Sequence, residues 1–565
     1  MPNRRLDVVF LWHMHQPDYR DHVSGEHVLP WVYLHAIKDY TDMASHLERH
    51  PGIRAVVNFV PVLLDQIEDY CGQFEAGKFR DPLLRLLAAP DLGNIDAADR
   101  QLLLEACFRN NHHTMLSPFP HYRQLHDLFE ALAREGEHAL SYLSGSYFAD
   151  LVTWYHLAWT GETERRRRPL IAELMSRGEA YSHADRLALL ELLGDTMRGL
   201  LPRYRALRER GQIELSATPD THPLAPLLLD FTAAHESQPQ APLPHSAVYP
   251  GGRQRVGAQI QAAVASHERR FGSAPVGMWP AEGAVSQAFV RELAAQGCRW
   301  IASGEGVLRN SLQRHGVDAA RAPYHSWRLA EAPELNLFFR DELLSDLIGF
   351  EYVRWHGRDA AADFVRRLEA ILAASPPGET PVVSVILDGE NAWEHYPYNG
   401  YFFFEDLYGL IEKHPEIRTT TFAELLSRPD AATPPVLPGL VAGSWVYGTL
   451  ATWIGDPEKN KAWDLLCAAK QAYDLVIASG RLSTDECAVA EKQLAICESS
   501  DWFWWFGDYN PAQAVASFDR LYRRNLTSLY RLLKLPPPDV LEVAISQGSD
   551  IAADGTMRRA QEPGR

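Results

Sequence analysis

The chain has 565 residues, 46% of them hydrophobic and 23% charged, which is typical of a folded globular protein. Its net charge of −18 provides no general attraction to nucleic acid or to anionic membranes, so we exclude both as partners. Its six cysteines form no C-x-x-C pair, which argues against a thiolate zinc site and favours a reducing, cytoplasmic location. No run of about 18 apolar residues is present, so we expect no transmembrane helix.

The N-terminal segment predicts a buried strand over residues 6–12 that ends in a polar cluster. Two histidines of this cluster, His13 and His15, occupy positions i and i+2, so in an extended chain they point the same way. Three interpretations are open: ligation of a metal, hydrogen bonding to a ligand or carboxylate, and a structural pair. Because no third ligand stands at a known spacing such as H-E-x-x-H, hydrogen bonding is favoured and we assign no metal.

Short apolar runs near residues 55, 213, 277, 299, 335 and 382 predict six further strands, mostly separated by helices. The region of about 81–210 is helical in its periodicity and too long for a single crossover, which indicates a helical insertion. Repeated strand–helix units place the chain in the α/β class. A total of seven strands predicts an incomplete (β/α)7 barrel.

Polar residues follow several of these strands. Asp388 opens the polar run after the strand near residue 382, and Glu282 follows the short lead 277–279. Catalytic groups of α/β barrels stand at the carboxyl ends of strands, and glycosidic bond cleavage needs two carboxyl groups. The alternative is that either residue is an ordinary exposed or capping acid. Arg340 and Asp341 follow the strand near residue 335 and are candidates for substrate binding.

Beyond a proline-rich linker at residues 431–440 the pattern is helical, which predicts a second domain. We therefore expect a catalytic barrel with its insertion over 1–430, a helical domain over 431–540 that contributes to the cleft, and a flexible tail over 541–565. Two clusters of aromatic and acidic residues, 443–456 and 498–508, are expected to line the substrate cleft. Sugar rings stack on aromatic faces, and the candidate platforms are Trp279, Trp393, Trp445, Trp453 and Trp504.

Four segments resemble successive signature motifs of family 57 glycoside hydrolases: HMHQPD at 13–18, GQIELSATPDTHPL at 211–224, GMWPAEG at 277–283 and ILDGENAWEHYP at 386–397. The resemblance implies an incomplete seven-stranded barrel whose active site is completed by a helical domain. It implies Glu282 as the nucleophile and Asp388 as the general acid/base. It also places His13, His15 and Glu214 in substrate binding.

The resemblance further implies a retaining enzyme that cleaves α-1,4 glucosidic bonds of starch-type or glycogen-type α-glucans by double displacement, with α-1,6 cleavage left open and no cofactor required. The segments 443–466 and 501–510 are more similar to the amylopullulanase and α-amylase branch than to the branching enzymes. A 4-α-glucanotransferase would use the same two carboxylates. Alternatives of other classes are a metal-dependent deacetylase or mannosidase-like enzyme and a glucan-binding protein without catalysis.

Overall fold

The computed structural model describes residues 5–317, 322–428 and 433–549. Its strands are β1 (Leu6–Met14), β2 (Ala55–Phe59), β3 (Ile213–Ala217), β4 (Trp300–Gly304), β5 (Trp327–Leu329), β6 (Ala332–Arg340), β7 (Val382–Asp388), β8 (Ile417–Thr419) and β9 (Val436–Leu437). Within these residues, no helix has both the length and the apolar character needed to cross a membrane.

The strands form the wall of a barrel. Within this wall, β1 pairs in parallel with β2 on one side and with β7 on the other. β2 continues to β3, and β4 pairs with β6. Two narrow joints complete the ring: Met278 bridges Ala217 of β3 and Ile301 of β4, and Arg340 of β6 pairs with Ser384 of β7. The predicted incomplete (β/α)7 barrel is confirmed, with Met278 standing where a seventh strand would run.

All nine residues of β1 are buried, so the strand is covered on both faces of the barrel wall. Its nearly continuous apolar sequence suits this position. Side chains alternate along a strand. Val9 and Leu11 belong to the small apolar cluster inside the barrel, whereas Phe10 and Trp12 pack in the larger core outside it. His13 continues the inward set of alternate residues, so an apolar floor is followed by a polar group at the carboxyl end.

The predicted helical insertion lies between β2 and β3. The helix Pro61–Ala76 follows β2, and the helices of the insertion are Pro82–Ala88, Ala97–Ala106, Pro120–Arg134, Glu137–Leu140, Gly145–Ala158, Glu162–Arg167, Pro169–Arg177 and His183–Glu209. A π-helical turn, His112–Leu116, touches the loop after β7: Asn111 Nδ2 lies 3.0 Å from His395 Nδ1, and Thr114 donates to the carbonyl of Glu394. The insertion therefore reaches the carboxyl edge of the barrel.

The remaining helices alternate with strands or form the C-terminal region. Those before residue 428 are Trp31–His35, Thr41–Arg49, Ala225–Leu229, Ala234–Ser237, Gly252–Phe271, Gln287–Ala295, Glu305–Arg314, Glu342–Asp346, Gly357–Ala374, Tyr401–Glu412 and Phe422–Leu426. Those after residue 433 are Pro457–Ala478, Thr484–Cys497, Ser500–Trp505 and Ala512–Leu532. The expected domain boundary at 430–431 lies outside the described residues.

The first part of the expected tail is packed against the helical region rather than free. Leu541 and Ile545 are each 5% exposed, and Ile545 N donates to Asp519 Oδ1 at 2.7 Å. The chain is held there because the main chain after the last helix folds back along it. Residues 550–565 of the expected tail lie outside the described part of the chain.

A buried ion pair joins the C-terminal helices to the barrel. Arg255 Nε lies 2.7 Å from Glu498 Oε1, and Arg255 Nη2 lies 3.1 Å from Glu498 Oε2. Tyr249 and Gln259 donate to the same carboxylate at 2.7 and 2.8 Å. Since Glu498 is fully buried, these four donated bonds replace its lost hydration and fix the helical region on the barrel.

Candidate active site

Polar side chains stand at one level at the carboxyl ends of the neighbouring strands. In the parallel register, His13 of β1 lies between Asn58 of β2 and Asp388 of β7. Asn58 in turn pairs with Ser216 of β3. The strands therefore deliver four polar residues to the same rim, directly above the apolar floor.

A cavity of about 970 Å³ opens at this rim, between the strand ends, the insertion and the C-terminal helices. Among the residues expected from the sequence, its walls contain His13, His15, Glu282, Arg340, Asp388, Trp445 and Trp504. Further lining residues include Phe108 and Phe129 from the insertion and His222, Glu390, Asp501 and Trp505. Both appended regions thus contribute walls to one cleft.

Glu282 occupies a strained main-chain position. It lies in the short 3-10 turn Ala281–Gly283 with φ 59° and ψ 20°, a left-handed conformation that non-glycine residues rarely adopt. The next residue must be glycine, since a Cβ at Gly283 would come within 2.7 Å of the Trp279 ring. The turn thus aims the Glu282 side chain into the cleft at some cost in stability.

The Glu282 side chain is 13% exposed, and its carboxyl group receives donors from the C-terminal region. Trp445 Nε1 donates to Oε2 at 3.1 Å, and Ser500 Oγ lies 3.5 Å from Oε1. Burial raises the pKa of Glu282 well above its ordinary value, and the negative charges of Asp501 and Asp388 push it in the same direction. Glu282 therefore shares a desolvated cleft with two other carboxyl groups.

Asp388 is the last residue of β7 and faces the same cavity. Burial raises its pKa, against the hydrogen bond from Asn391 and the nearby charges of His15 and Arg340. Asn391 Nδ2 donates to Asp388 Oδ2 at 2.9 Å. A carboxyl group with a raised pKa retains its proton to higher pH, which suits a general acid.

Three histidines stack beside the two carboxyl groups. His222 lies between the others, with ring centroids 3.8 Å from His15 and 5.1 Å from His13. Burial lowers the pKa of His13 to about 3 and that of His222 well below its ordinary value. His15 Nε2 lies 2.9 Å from Asp501 Oδ2. The stack thus contains two neutral rings and one that is paired with a carboxylate.

The ring and carboxylate atoms of His15, His222 and Asp501 lie within 4.8 Å of one another, close enough to suggest a metal centre. The rings of His15 and His222 are stacked, with 20° between their planes. Stacked rings direct their in-plane lone pairs along similar directions, whereas a tetrahedral zinc ion requires donors that converge. The arrangement suits hydrogen bonding, and we assign no metal to it.

The family model of glycosyl hydrolase family 57 matches residues 9–436. This chain belongs to glycosyl hydrolase family 57. Family membership makes it an enzyme of the glycoside hydrolase and transferase type, and the resemblance seen in the motifs is confirmed.

Solved family 57 structures share its fold at low sequence identity. A branching enzyme from Thermococcus kodakaraensis, in complex with glucose, is 16% identical, with a TM-score of 0.58 over 93% of this chain and 90% of that one. A branching enzyme from Pyrococcus horikoshii is also 16% identical, with a TM-score of 0.57 over 98% and 99%. The α-amylase AmyC from Thermotoga maritima is 15% identical, with a TM-score of 0.54 over 94% of each chain.

Two expected substrate-binding acids of this family 57 chain do not line the cleft. Glu214 lies in the barrel floor, where its carboxylate accepts from Trp300 Nε1 at 2.7 Å and from Ala423 N at 2.8 Å. Asp341 caps the helix Glu342–Asp346 by accepting from Leu344 N at 2.8 Å. Both carboxylates accept hydrogen bonds from structural donors, so the structure gives no support to their predicted role in substrate binding.

The tryptophans divide into cleft and core. Trp279, Trp393 and Trp453 are at most 1% exposed and do not line the cleft, so the structure gives no support to their prediction as sugar platforms. Trp445 and Trp504 are half-buried and do line it. The same short sequence cluster contains both cleft-lining and core tryptophans, because residues close in sequence can face opposite sides of a turn or helix.

Sequence reasoning missed His222, Asp501 and Asn58 as site residues. His222 ends the polar run after β3 and, like Glu282, has a positive φ, of 62°. Asp501 lies within the aromatic cluster 498–508, where only Trp504 was singled out as a site residue. Asn58 carried a usable signal, since it is a lone amide in the otherwise apolar strand β2.

Proposed function

We propose that this family 57 enzyme is a retaining glycoside hydrolase that cleaves α-1,4 glucosidic bonds in α-glucans. The observation that carries the proposal is the pair Glu282 and Asp388, which face one cavity from the turn after the Met278 bridge and from the end of β7. Two carboxyl groups on one cleft are what glycosidic bond cleavage requires. The solved relatives that share the fold are enzymes of glucan chemistry by their names, a branching enzyme and an α-amylase.

In this mechanism Glu282 attacks the anomeric carbon while Asp388 protonates the leaving oxygen. Trp445 and Ser500 offer donors to the two oxygens of Glu282. These donors oppose the rise in its pKa that burial causes and favour the ionised form that attacks. Asp388 then removes a proton from water, which releases the sugar from Glu282. For retention, the two carboxyl groups should stand about 5–5.5 Å apart across the scissile bond.

The walls of the cleft suit a chain of sugars rather than a single ring. Trp445 and Trp504 from the helical region and Phe108 from the insertion offer aromatic faces to the same space. Arg340 lies in the cleft 5.5 Å from the Trp445 ring, where its guanidinium can hold that platform and donate to hydroxyl groups. His13 and His15 line the same cleft as Glu282 and Asp388, and we propose that they bind the sugar at the cleavage point.

The test is a product profile from starch, pullulan and maltoheptaose with the wild type, Glu282→Gln and Asp388→Asn. We expect net formation of reducing ends from starch, and losses of about 10³-fold or more in both variants. Since a nitrophenolate leaving group needs little protonation, Asp388→Asn should lose far less activity on a nitrophenyl α-maltooligosaccharide than on starch.

Other outcomes would replace the proposal. Longer and shorter oligomers without net new reducing ends would identify a 4-α-glucanotransferase, and new α-1,6 branch points a branching enzyme. Release of maltotriose from pullulan would extend hydrolysis to α-1,6 bonds. Undiminished activity of Glu282→Gln would reject the nucleophile, and activity lost to a chelator and restored by zinc would favour a metal-dependent reaction.

A further inference from the structure

A chain of buried side chains connects strand β2 to Glu282. Asn58 contacts His13 Nδ1 at 2.6 Å, and His13 Nε2 lies 3.1 Å from His222 Nε2. His222 Nδ1 lies 2.9 Å from Ser500 Oγ, which lies 3.5 Å from Glu282 Oε1. Each contact joins two groups that can donate or accept, so the direction of donation along the chain has to be fixed at one end.

Thr218 fixes that direction through the amide of Asn58. Thr218 Oγ1 lies 2.8 Å from the carbonyl oxygen of Trp279, which can only accept, so the single hydroxyl proton is used there. The atom of Asn58 that lies 3.0 Å from Thr218 Oγ1 must then donate. It is placed as Oδ1, but the two amide ends are isosteric and their partners decide which one is nitrogen. The Asn58 nitrogen therefore faces Thr218 and His13, and its oxygen accepts from Ser216, 3.0 Å away.

The remaining protons follow from this orientation. The Asn58 nitrogen donates to His13 Nδ1, so the neutral His13 ring carries its proton on Nε2 and donates it to His222 Nε2. The neutral His222 ring then carries its proton on Nδ1 and donates it to Ser500. Ser500 is left with its own proton, which points to Glu282. Every proton in the chain has one acceptor, and the last acceptor is a carboxylate.

We infer that Asn58, oriented by Thr218, is a positioning residue that sets the tautomers of His13 and His222 so that Ser500 donates to Glu282. The reversed amide would reverse every bond, and Ser500 would donate to His222 and leave Glu282 Oε1 without this donor. The inference rests on the proposed function only for the role of Glu282, because the tautomers themselves are independent of any activity.

The carboxylate at the end of this chain has several ionisable neighbours. Asp388 faces it from β7, Asp501 from the helix Ser500–Trp505, and His222 from the loop after β3, while Tyr509 is influenced by its charge. The donor from Ser500 opposes the two carboxylates and favours ionised Glu282. Its loss should raise the pH at which the nucleophile becomes active.

The direct test is a long-range ¹H–¹⁵N spectrum of the full chain labelled at its 23 histidines, with the two signals assigned by their loss in His13→Gln and His222→Gln. We expect the Nε2–H tautomer for His13 and the Nδ1–H tautomer for His222. Asn58→Asp offers only acceptors, so both rings should change tautomer, whereas the matched control Ser216→Ala should change neither. An Nδ1–H tautomer at His13 in the wild type would overturn the inference.

Two further variants test the same assignment independently, in case Asn58→Asp does not fold. Thr218→Val is isosteric and removes only the group that orients the amide, so the tautomers of His13 and His222 should become mixed. Ser500→Ala should leave both tautomers unchanged but move the acidic limb of kcat/KM upward by about one pH unit with little change in KM. Unchanged tautomers in Thr218→Val would also contradict the assignment, and an unshifted limb in Ser500→Ala would remove the link to Glu282. If the tautomers are as expected but Glu282→Gln is fully active, only the proposed function fails.

Discussion

At the scale of single residues, two features of Glu282 reduce the stability of the folded chain. Its main chain is left-handed, and its carboxyl group is desolvated beside Asp388 and Asp501. Each feature opposes folding, and favourable contacts in the surrounding structure must offset its cost in free energy. Such a residue is expected where stability has been given up for reactivity.

Replacing Glu282 with Gln should therefore stabilise the protein in a pH-dependent way. The pKa of Glu282 is raised by folding, so the folded chain holds this proton more tightly than the unfolded chain. That stability is fully present below the ordinary carboxyl pKa and is lost as the pH rises through the raised pKa. We expect the Tm of Glu282→Gln to exceed that of the wild type by about 2 °C at pH 8 and by much less at pH 4.5.

Differential scanning calorimetry at the two pH values measures this difference. Glu209→Gln is the matched control, since Glu209 is exposed at the end of the helix His183–Glu209. Its Tm should follow the wild type at both pH values. An equal Tm change for Glu282→Gln at pH 4.5 and pH 8 would show that the gain does not come from ionisation.

At the scale of elements, Glu214 connects three parts of the barrel floor. It lies in β3, accepts from Trp300 of β4, and accepts from the first turn of the helix Phe422–Leu426. Burial raises its pKa to about 7. The predicted strand is confirmed, but the sequence could not place the Glu214 side chain, because an acid within a barrel strand faces either the floor or the rim according to its height along the strand.

Glu214→Ala should lower stability without changing the chemistry. The change leaves Trp300 Nε1 and Ala423 N without their acceptor, at a cost of about 2–4 kcal/mol. Urea denaturation should show this loss, while kcat/KM of the folded enzyme should stay within about threefold of the wild type. A raised KM at unchanged stability would return Glu214 to substrate binding.

The aromatic clusters 498–508 and 443–456 each contain a tryptophan whose replacement tests its position, Trp504 in the cleft and Trp453 in the core. Trp504→Ala should raise KM for maltoheptaose about tenfold, the equivalent of losing one stacking contact, with Tm nearly unchanged. Trp453→Ala should instead cost about 3–5 kcal/mol of stability with little change in KM, because Trp453 is fully buried. The reverse pattern of KM and Tm would exchange the roles of the two tryptophans.

At the scale of the whole molecule, the site is assembled from segments that are distant in sequence. Strands and helices could be predicted because their apolar periodicity is local, and the two carboxylates could be placed at strand ends for the same reason. The partners could not: His15 meets Asp501 across 486 positions, and Trp445 meets Glu282 across 163. No local pattern records such contacts, which depend on how the helical region packs.

The buried pair of Arg255 and Glu498 tests that packing. Arg255→Met leaves Glu498 buried without its partner and should destabilise the protein by about 3–5 kcal/mol. The double variant Arg255→Met/Glu498→Leu removes both charges and should recover most of that loss. Denaturant midpoints measure both effects. A double variant as unstable as the single one would show that the loss comes from the missing hydrogen bonds and packing rather than from an unpaired buried charge.

The two narrow joints of the barrel divide its wall into two arcs. β3, β2, β1 and β7 form one continuous arc that carries Asp388, whereas β4 and β6 form the other. Glu282 stands just beyond the Met278 joint, and the main-chain bond from Trp445 N to its carbonyl, at 3.1 Å, anchors it to the helical region. We therefore expect substitutions in the helical region to change the separation of Glu282 and Asp388, the proposed nucleophile and acid, and so to alter the reaction outcome while the strands stay unchanged.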